Sequence, residues 1–130
     1  MQEVYDFLKA AGTYFLATAE GKQPRVRPFG TCVMYEDRIY IQTGKVKDVS
    51  KQMEENPKIE LCAYMNGHWL RVTAEARSDD RIAVKQYMLD QYPMLKDRYA
   101  ADDDNVNVLY LENVTATFAT PEGVYRMMKF

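Results

Sequence analysis

Residues 38–77 contain the succession of elements that decides the fold: RIYIQ (38–42), TGKVKDVSKQMEENP (43–57), KIELCAYM (58–65), NG (66–67) and HWLRVTAEAR (68–77). The first, third and last segments are rich in β-branched and aromatic residues, which favour strands. The second segment has apolar residues at helical spacing. Asn-Gly is favoured in a type I′ turn, which joins two strands as a hairpin. The stretch therefore predicts a strand, a helix and a hairpin, in that order.

The chain before this stretch predicts one helix and two more strands. Val4, Phe7, Leu8 and Ala11 lie at helical spacing and Gly12 follows, so we expect a helix over residues 2–11. The segments TYFLATA and RVRPFGTCVMY then have the composition and alternation of strands, with the turn-like EGKQP between them.

The chain after it predicts two helical segments and a final strand. We expect a helix over about residues 79–91, opened by two aspartates, and a shorter helical piece that restarts at Pro93. An acidic loop over 101–105 precedes a long strand over 106–118. Six strands with local hairpins and no strand-helix alternation favour an antiparallel barrel with helices at its rim. Such a small barrel is filled by side chains, so a cofactor must bind outside it, at an end or against a second subunit.

Composition limits the classes of function. A chain of 130 residues with 47% hydrophobic content predicts one domain, 1–130. The net charge of −2 argues against a nucleic-acid partner. Cys32 and Cys62 belong to no metal-binding or redox motif, so we expect buried thiols in a reducing compartment and no metal site. The N-terminal segment has no long apolar run, which predicts a cytoplasmic protein that does not bind membranes.

The start of the central helix is a candidate anion site. Backbone N–H groups at a helix start lack intrahelical acceptors and lie at the positive end of the helix dipole. Lys47, Ser50 and Lys51 are spaced to share one helix face, and Val46, Val49 and Met53 are expected to dock the opposite face. The alternative is a solvated amphipathic helix whose lysines are ordinary surface residues.

The order of three motifs resembles the pyridoxamine 5′-phosphate oxidase-like family, the FMN-binding split-barrel proteins. The motifs are PRVRPFG (24–30), IYIQT (39–43) followed by the lysine helix that ends in ENP, and HWLRVTAEAR (68–77). The resemblance implies a six-stranded antiparallel split β-barrel with helices at the rim, FMN as cofactor and a homodimer. It also implies cofactor contacts at Arg25, Val26, Arg27, Pro28, Ile41, Gln42, Thr43, Lys47, Ser50, Lys51 and Trp69, with Trp69 supplied by the facing subunit.

Elementary chemistry supports part of this assignment. Arg25, Arg27 and Phe29 alternate onto one strand face, and Pro28 lacks an N–H, so this strand is expected to have a free edge that a ligand can approach. An arginine beside the flavin would stabilise negative charge on the reduced ring. His68 is expected to be an exposed hairpin residue, and no residue stands out as a catalytic acid, base or nucleophile.

The chain departs from the oxidase at two places. Lys47-Asp48-Val49 stands where that enzyme has a Ser-Arg-Lys run, and the tail PEGVYRMMKF lacks its tryptophan-arginine substrate segment, leaving Arg126 and Lys129 as flexible terminal cations. We therefore expect a flavin-dependent oxidoreductase that acts on an unidentified small molecule other than the vitamin B6 substrate. The alternatives are a non-catalytic flavin-binding or sensing protein, a split barrel that binds haem or a deazaflavin, and an interaction module without a cofactor.

Overall fold

One antiparallel sheet dominates the computed structural model, which describes all 130 residues. Its eight strands are β1 (Tyr14–Glu20), β2 (Gln23–Phe29), β3 (Val33–Tyr35), β4 (Arg38–Gly44), β5 (Lys58–Met65), β6 (His68–Ser78), β7 (Val106–Thr120) and β8 (Gly123–Lys129). The helices are α1 (Gln2–Ala11), α2 (Asp48–Glu55) and α3 (Ile82–Gln91), and a 3₁₀ turn follows at Pro93–Asp97. The strand order is β2-β1-β5-β6-β7-β4-β3, with β8 paired to β7. The sheet curves as an open, split barrel with helices at its periphery, which confirms the predicted fold class.

The strand count differs from the predicted six for two reasons. The segment 25–35 is broken at residues 30–32, so it forms β2 and the short β3, which pair with different neighbours. The tail, expected to be flexible, forms β8 and pairs with the second half of β7. Arg126 on β8 is further held by an ion pair with Glu3 of α1 at 2.6 Å.

Local signals set the hairpin and the first helix as predicted. Asn66 and Gly67 have φ values of 52° and 81°, as a type I′ turn requires, and Met65 pairs with His68 across it. The helix α1 ends at Ala11, and the N–H of Gly12 donates to the Leu8 carbonyl oxygen. The predicted helix at 79–91 begins three residues late, at Ile82, because the side chain of Asp79 is bonded to Arg81 and Tyr40 instead.

Two hydrophobic clusters hold the elements together. The larger lies between the inner sheet face and helices α1 and α2, and it includes Val4, Leu8, Val49 and Met53. The smaller packs α3 against the outer side of β4 and β7. Because side chains alternate along a strand, β4 serves both clusters: Ile39 and Ile41 point into the larger one and Tyr40 into the smaller one. This double coverage explains why β4 is buried at every residue after Arg38, including the polar Gln42 and Thr43.

None of the helices combines the length and the apolar character that crossing a bilayer requires.

Candidate functional site

A cleft of about 500 Å³ opens beside the free edge of β2. One wall comes from the β2–β3 connection, the end of β4 and the start of α2; the other comes from residues 92–99. The lining residues are Pro28, Phe29, Gly30, Thr31, Gln42, Thr43, Lys47, Tyr92, Met94, Leu95, Asp97, Arg98 and Tyr99. The volume lies within the range of about 300 to 1,000 Å³ that is usual for small-molecule sites.

The first wall is fixed by hydrogen bonds around Thr31. The Gln42 N–H donates to Thr31 Oγ1 at 2.9 Å, and the Tyr14 hydroxyl donates to the Thr31 carbonyl oxygen at 2.6 Å. Tyr14 is itself fully buried, so it ties this loop to the larger core. The strand β2 pairs only with β1, which confirms the free edge expected from Pro28.

The start of α2 reaches the cleft with an uncapped N-terminus. Lys47 is the N-cap residue in an extended conformation, and no side chain caps the helix. Its ammonium is exposed and has no carboxylate partner, unlike Lys45, which pairs with Asp80 at 2.9 Å. Free N–H groups and a free cation therefore meet at one point of the wall.

The predicted division of α2 into two faces is partly wrong. Ser50 is buried, donates to the Gly44 carbonyl oxygen at 2.7 Å and accepts from Asn107 Nδ2 at 3.0 Å, so it anchors the helix instead of sharing an exposed face with the lysines. Val46 lies before the helix and is 72% exposed, so it docks nothing. Val49 and Met53 are buried as predicted.

Two arginines of β2 are engaged within the protein. Arg25 pairs with Glu20 at 2.9 Å. Arg27, which is half-buried, donates to Thr18 Oγ1 and to Gln52 Oε1, each at 2.7 Å, and so links β1 and β2 to α2. Desolvation lowers the pKa of the Arg27 guanidinium. These contacts make Arg27 a fixed charge at the junction of the strand edge and α2.

The second wall is anchored at Tyr92 and Tyr99. The Tyr92 hydroxyl accepts from Lys9 Nζ at 3.0 Å and from the Cys32 N–H at 3.0 Å, and it donates to the Cys32 carbonyl oxygen at 3.1 Å. The Tyr99 ring lies against Gly44, where an added Cβ would be only 2.8 Å from the Tyr99 hydroxyl. Because glycine has no Cβ, position 44 leaves room for the Tyr99 ring.

Neither the cysteines nor the histidine supplies a reactive group to the cleft. Burial raises the pKa of the Cys32 thiol to about 12, so it is protonated at neutral pH and a poor nucleophile. His68 is exposed at the β5–β6 turn, as expected, and its Nδ1 lies 3.0 Å from the Tyr125 hydroxyl. No cluster of three or more metal-ligating side chains occurs.

The eleven predicted cofactor residues are distributed unevenly. Four of them line the cleft, namely Pro28, Gln42, Thr43 and Lys47. Ile41 is fully buried in the core, and Ser50 lies on the buried face of α2. Val26 and Lys51 are exposed outside the cleft, and Arg25 and Arg27 are bonded to Glu20 and to Thr18 and Gln52. Trp69 lies half-buried on the outer face of β6 and does not line the cleft of its own subunit.

That outer sheet face carries a group of exposed apolar side chains. The strand register places on it Phe15, Val26, Tyr64, Val124 and Met127, which are between 53% and 68% exposed. Pro28, paired with Phe15, belongs to the same face and also lines the cleft. The apolar face and the cleft are therefore continuous.

A second cavity, of about 370 Å³, lies on the opposite side of α2. Its cations are already paired: Lys45 with Asp80, and Arg77 with Glu75 and Glu112. The unpaired charge on its lining is the Glu54 carboxylate, which repels an anion, so the cleft beside β2 is the better candidate for a phosphate.

Sequence reasoning did not identify Tyr92, Arg98 and Tyr99 as site residues. They lie just before and just after the short helical piece Pro93–Asp97, where no motif distinguishes them from an ordinary connection. Only the long-range contacts of Tyr92 with Lys9 and Cys32, and of Tyr99 with Gly44, bring this segment to the cleft.

Comparisons with known proteins agree with this fold. The family model for pyridoxamine 5′-phosphate oxidase matches residues 1–119. A NimC/NimA family protein from Clostridium acetobutylicum is 39% identical, with a TM-score of 0.95 over 100% of this chain and 93% of that chain.

More distant structures share the fold alone. General Stress Protein 26 from Bacillus anthracis is 13% identical, with a TM-score of 0.79 over 99% of this chain and 97% of that chain. HutZ, the heme storage protein from Vibrio cholerae, is 15% identical, with a TM-score of 0.67 over 97% of this chain and 93% of that chain. None of the curated proteins matches this chain.

Proposed function

The chain belongs to the pyridoxamine 5′-phosphate oxidase family, and from this premise we propose that it binds FMN in the cleft beside β2 and acts as a flavin-dependent oxidoreductase on a small molecule. The observation that carries the proposal is the meeting of the uncapped start of α2, the unpaired Lys47 ammonium and the free edge of β2 at one cleft.

The residues present fit FMN. A phosphate needs N–H donors and positive charge, which the α2 N-terminus and Lys47 supply. A flavin ring needs a flat, partly apolar surface, which Pro28, Phe29 and the ends of β2 and β4 provide. Asp48, the first residue of α2, opposes the phosphate charge, so Lys47 has to outweigh it.

Bound FMN would supply the electron transfer, and the protein would hold and orient it. Lys47 would hold the phosphate, and Gln42 and Thr43 would border the ring. Arg27 would place a fixed positive charge near the β2 edge, because its bonds to Thr18 and Gln52 restrict its movement. The Tyr92 hydroxyl, already bonded to three groups, keeps the opposite wall in place.

The active form in this proposal is a homodimer. Exposed apolar patches of this kind mark interaction surfaces. A second copy seated on the face with Phe15, Tyr64 and Met127 would cover the apolar side chains and adjoin the cleft through Pro28. It would also bring its own Trp69, which points out of the same face, toward that junction.

Haem is the second cofactor to consider, because HutZ has the same fold. Haem iron requires an axial ligand, commonly histidine or cysteine. Here His68 lies at the distant β5–β6 turn and the Cys32 thiol is buried, whereas the free cation and helix start match a phosphate. These features favour FMN. The visible spectrum of the purified protein tests this preference, because haem, FMN, a deazaflavin and a protein without a cofactor each give a different spectrum.

Calorimetric titration with FMN and riboflavin tests the phosphate site. We expect FMN to bind more tightly than riboflavin, and Lys47→Ala to lower FMN affinity by about 1.5 to 3 kcal/mol while leaving riboflavin unchanged. Lys22→Ala, which removes an exposed lysine from the β1–β2 turn, is the matched control. Equal affinity of the wild-type protein for the two flavins would refute the site.

A further inference from the structure

Arg98 differs from every other arginine of the chain. The other seven are engaged: Arg38 stacks on Tyr110, Arg27 bonds to Thr18 and Gln52, and Arg25, Arg71, Arg77, Arg81 and Arg126 form ion pairs. Arg98 alone has no side-chain partner, and it lines the cleft. An unpaired guanidinium in a concave site is available to bind a planar anion through two parallel hydrogen bonds.

We infer that Arg98 is a specificity-determining residue that binds the carboxylate of a planar aromatic substrate. This inference rests on the proposed function, since it assigns the substrate side of the same cleft. Arg126 and Lys129 do not take this role, because β8 holds both on the edge of β7 and the Arg126 guanidinium is paired with Glu3.

The backbone around Arg98 is held in place. The N–H groups of Arg98 and Tyr99 both donate to the Leu95 carbonyl oxygen, at 3.0 and 2.8 Å. The Tyr99 ring is lodged against Gly44, and Tyr92 is bonded to α1 and to the β2–β3 connection. The guanidinium therefore extends from an ordered turn and not from a loose loop.

The division of the cleft into two walls separates the roles of its two free cations. Lys47 lies with Pro28, Gln42 and Thr43 on the wall that carries the helix start, where a phosphate gains N–H donors. Arg98 lies on the other wall, whose helical segment is only the five-residue 3₁₀ turn Pro93–Asp97, and it follows the end of that turn and not its start. A flavin on the first wall exposes one ring face to the second wall, so Arg98 faces the substrate.

The neighbours of Arg98 narrow the substrate class. Tyr92 and Tyr99 present aromatic surface, which suits a planar ring. Asp97 also lines the cleft and would repel a second negative charge near Arg98. The chemistry that fits best is an aromatic ring with a single carboxylate.

Benzoate and its neutral isostere benzamide provide the test. Each is titrated calorimetrically into FMN-loaded protein and, separately, into protein without flavin, for the wild type, Arg98→Gln, Arg98→Lys and Lys96→Gln. Lys96 is the matched control because it lies on the same turn but pairs with Asp90 outside the cleft. Arg98→Gln should weaken benzoate binding about tenfold or more, Arg98→Lys should weaken it less, and benzamide should bind all variants alike.

Each other outcome has a distinct meaning. If the wild type binds benzoate no better than benzamide, or if Lys96→Gln weakens benzoate as much as Arg98→Gln does, the inference is wrong. If Arg98→Gln instead weakens FMN and spares riboflavin, Arg98 is a phosphate contact and the substrate role is refuted. If no flavin binds but benzoate still depends on Arg98, the proposed function fails and the anion site stands.

Discussion

Replacing Gly44 with alanine should strain the cleft, and removing one oxygen atom should relieve that strain. The new Cβ would lie 2.8 Å from the Tyr99 hydroxyl oxygen but 3.3 Å from its nearest ring carbon. The first separation is too short for non-bonded atoms, so the ring must move. Overpacking of this kind costs about 1 to 3 kcal/mol.

Tyr99→Phe removes only the atom that makes the shortest contact. The backbone at Gly44 is not in the positive-φ region, so alanine itself is tolerated there. Alanine has fewer backbone conformations than glycine in the unfolded chain. Where alanine can adopt the native backbone conformation, this difference stabilises a protein by about 0.4 to 1 kcal/mol. In the Tyr99→Phe background, Gly44→Ala should therefore be close to neutral, which predicts a coupling of about 1 to 3 kcal/mol between the two substitutions.

The assay is urea unfolding of the wild type, the two single variants and the double variant, followed by far-ultraviolet circular dichroism. Benzoate titration of the same four proteins reports whether Tyr99 also positions Arg98, since a displaced ring should weaken benzoate in Gly44→Ala and the double variant should recover it. If Gly44→Ala costs the same in both backgrounds, the contact with the hydroxyl is not its cause and the account of this wall is wrong.

Three further outcomes follow from other contacts. Hydrogen bonds from Arg81 and Tyr40 lower the pKa of Asp79 to about 2, which is below the pKa of an aspartate in the unfolded chain. Asp79→Asn should therefore lower the free energy of unfolding by about 1 kcal/mol at pH 7, after allowance for solvent screening, and the difference from the wild type in urea unfolding should disappear as the pH falls to about 2. In sedimentation experiments, Tyr64→Glu should be monomeric and bind FMN more weakly, whereas the control Ile82→Glu, at a similarly exposed site off the apolar face, should remain a dimer with unchanged FMN binding. A monomer fully loaded with FMN would refute the shared pocket. Pyridoxamine 5′-phosphate should reduce bound FMN more slowly than a nicotinamide donor in anaerobic stopped-flow mixing, since the cleft has a single free arginine, next to Asp97, whose negative charge would repel the substrate phosphate, and lacks a second phosphate clamp. Faster reduction by the B6 substrate would restore the oxidase reaction.

The sequence by itself determined the features that depend on neighbouring residues. Helix α1 and its end at Gly12 follow from apolar spacing and a terminal glycine, and the Asn66-Gly67 turn follows from the φ values those residues tolerate. The order of strand, helix and hairpin also identified the family, because apolar residues recur with one period in strands and with another in helices, so each element can be recognised in the sequence.

The tertiary structure decided which surface each element meets. Periodicity gives a helix two faces but not the residue at which the helix starts. The lysine spacing therefore predicts an exposed Ser50, whereas in the structure Ser50 shares the buried face with Met53. The tail became β8 only because the second half of β7 has a free edge there.

The second wall of the cleft shows the same limit most clearly. Tyr92 contacts Cys32 across 60 positions, Tyr99 contacts Gly44 from a similarly remote part of the chain, and no local signal encodes either contact. Such contacts arise when distant elements pack into one core, because the hydrophobic effect has no preferred direction and favours the removal of any apolar surface from water. Arg98 could therefore be placed in the cleft only once the chain had folded around it.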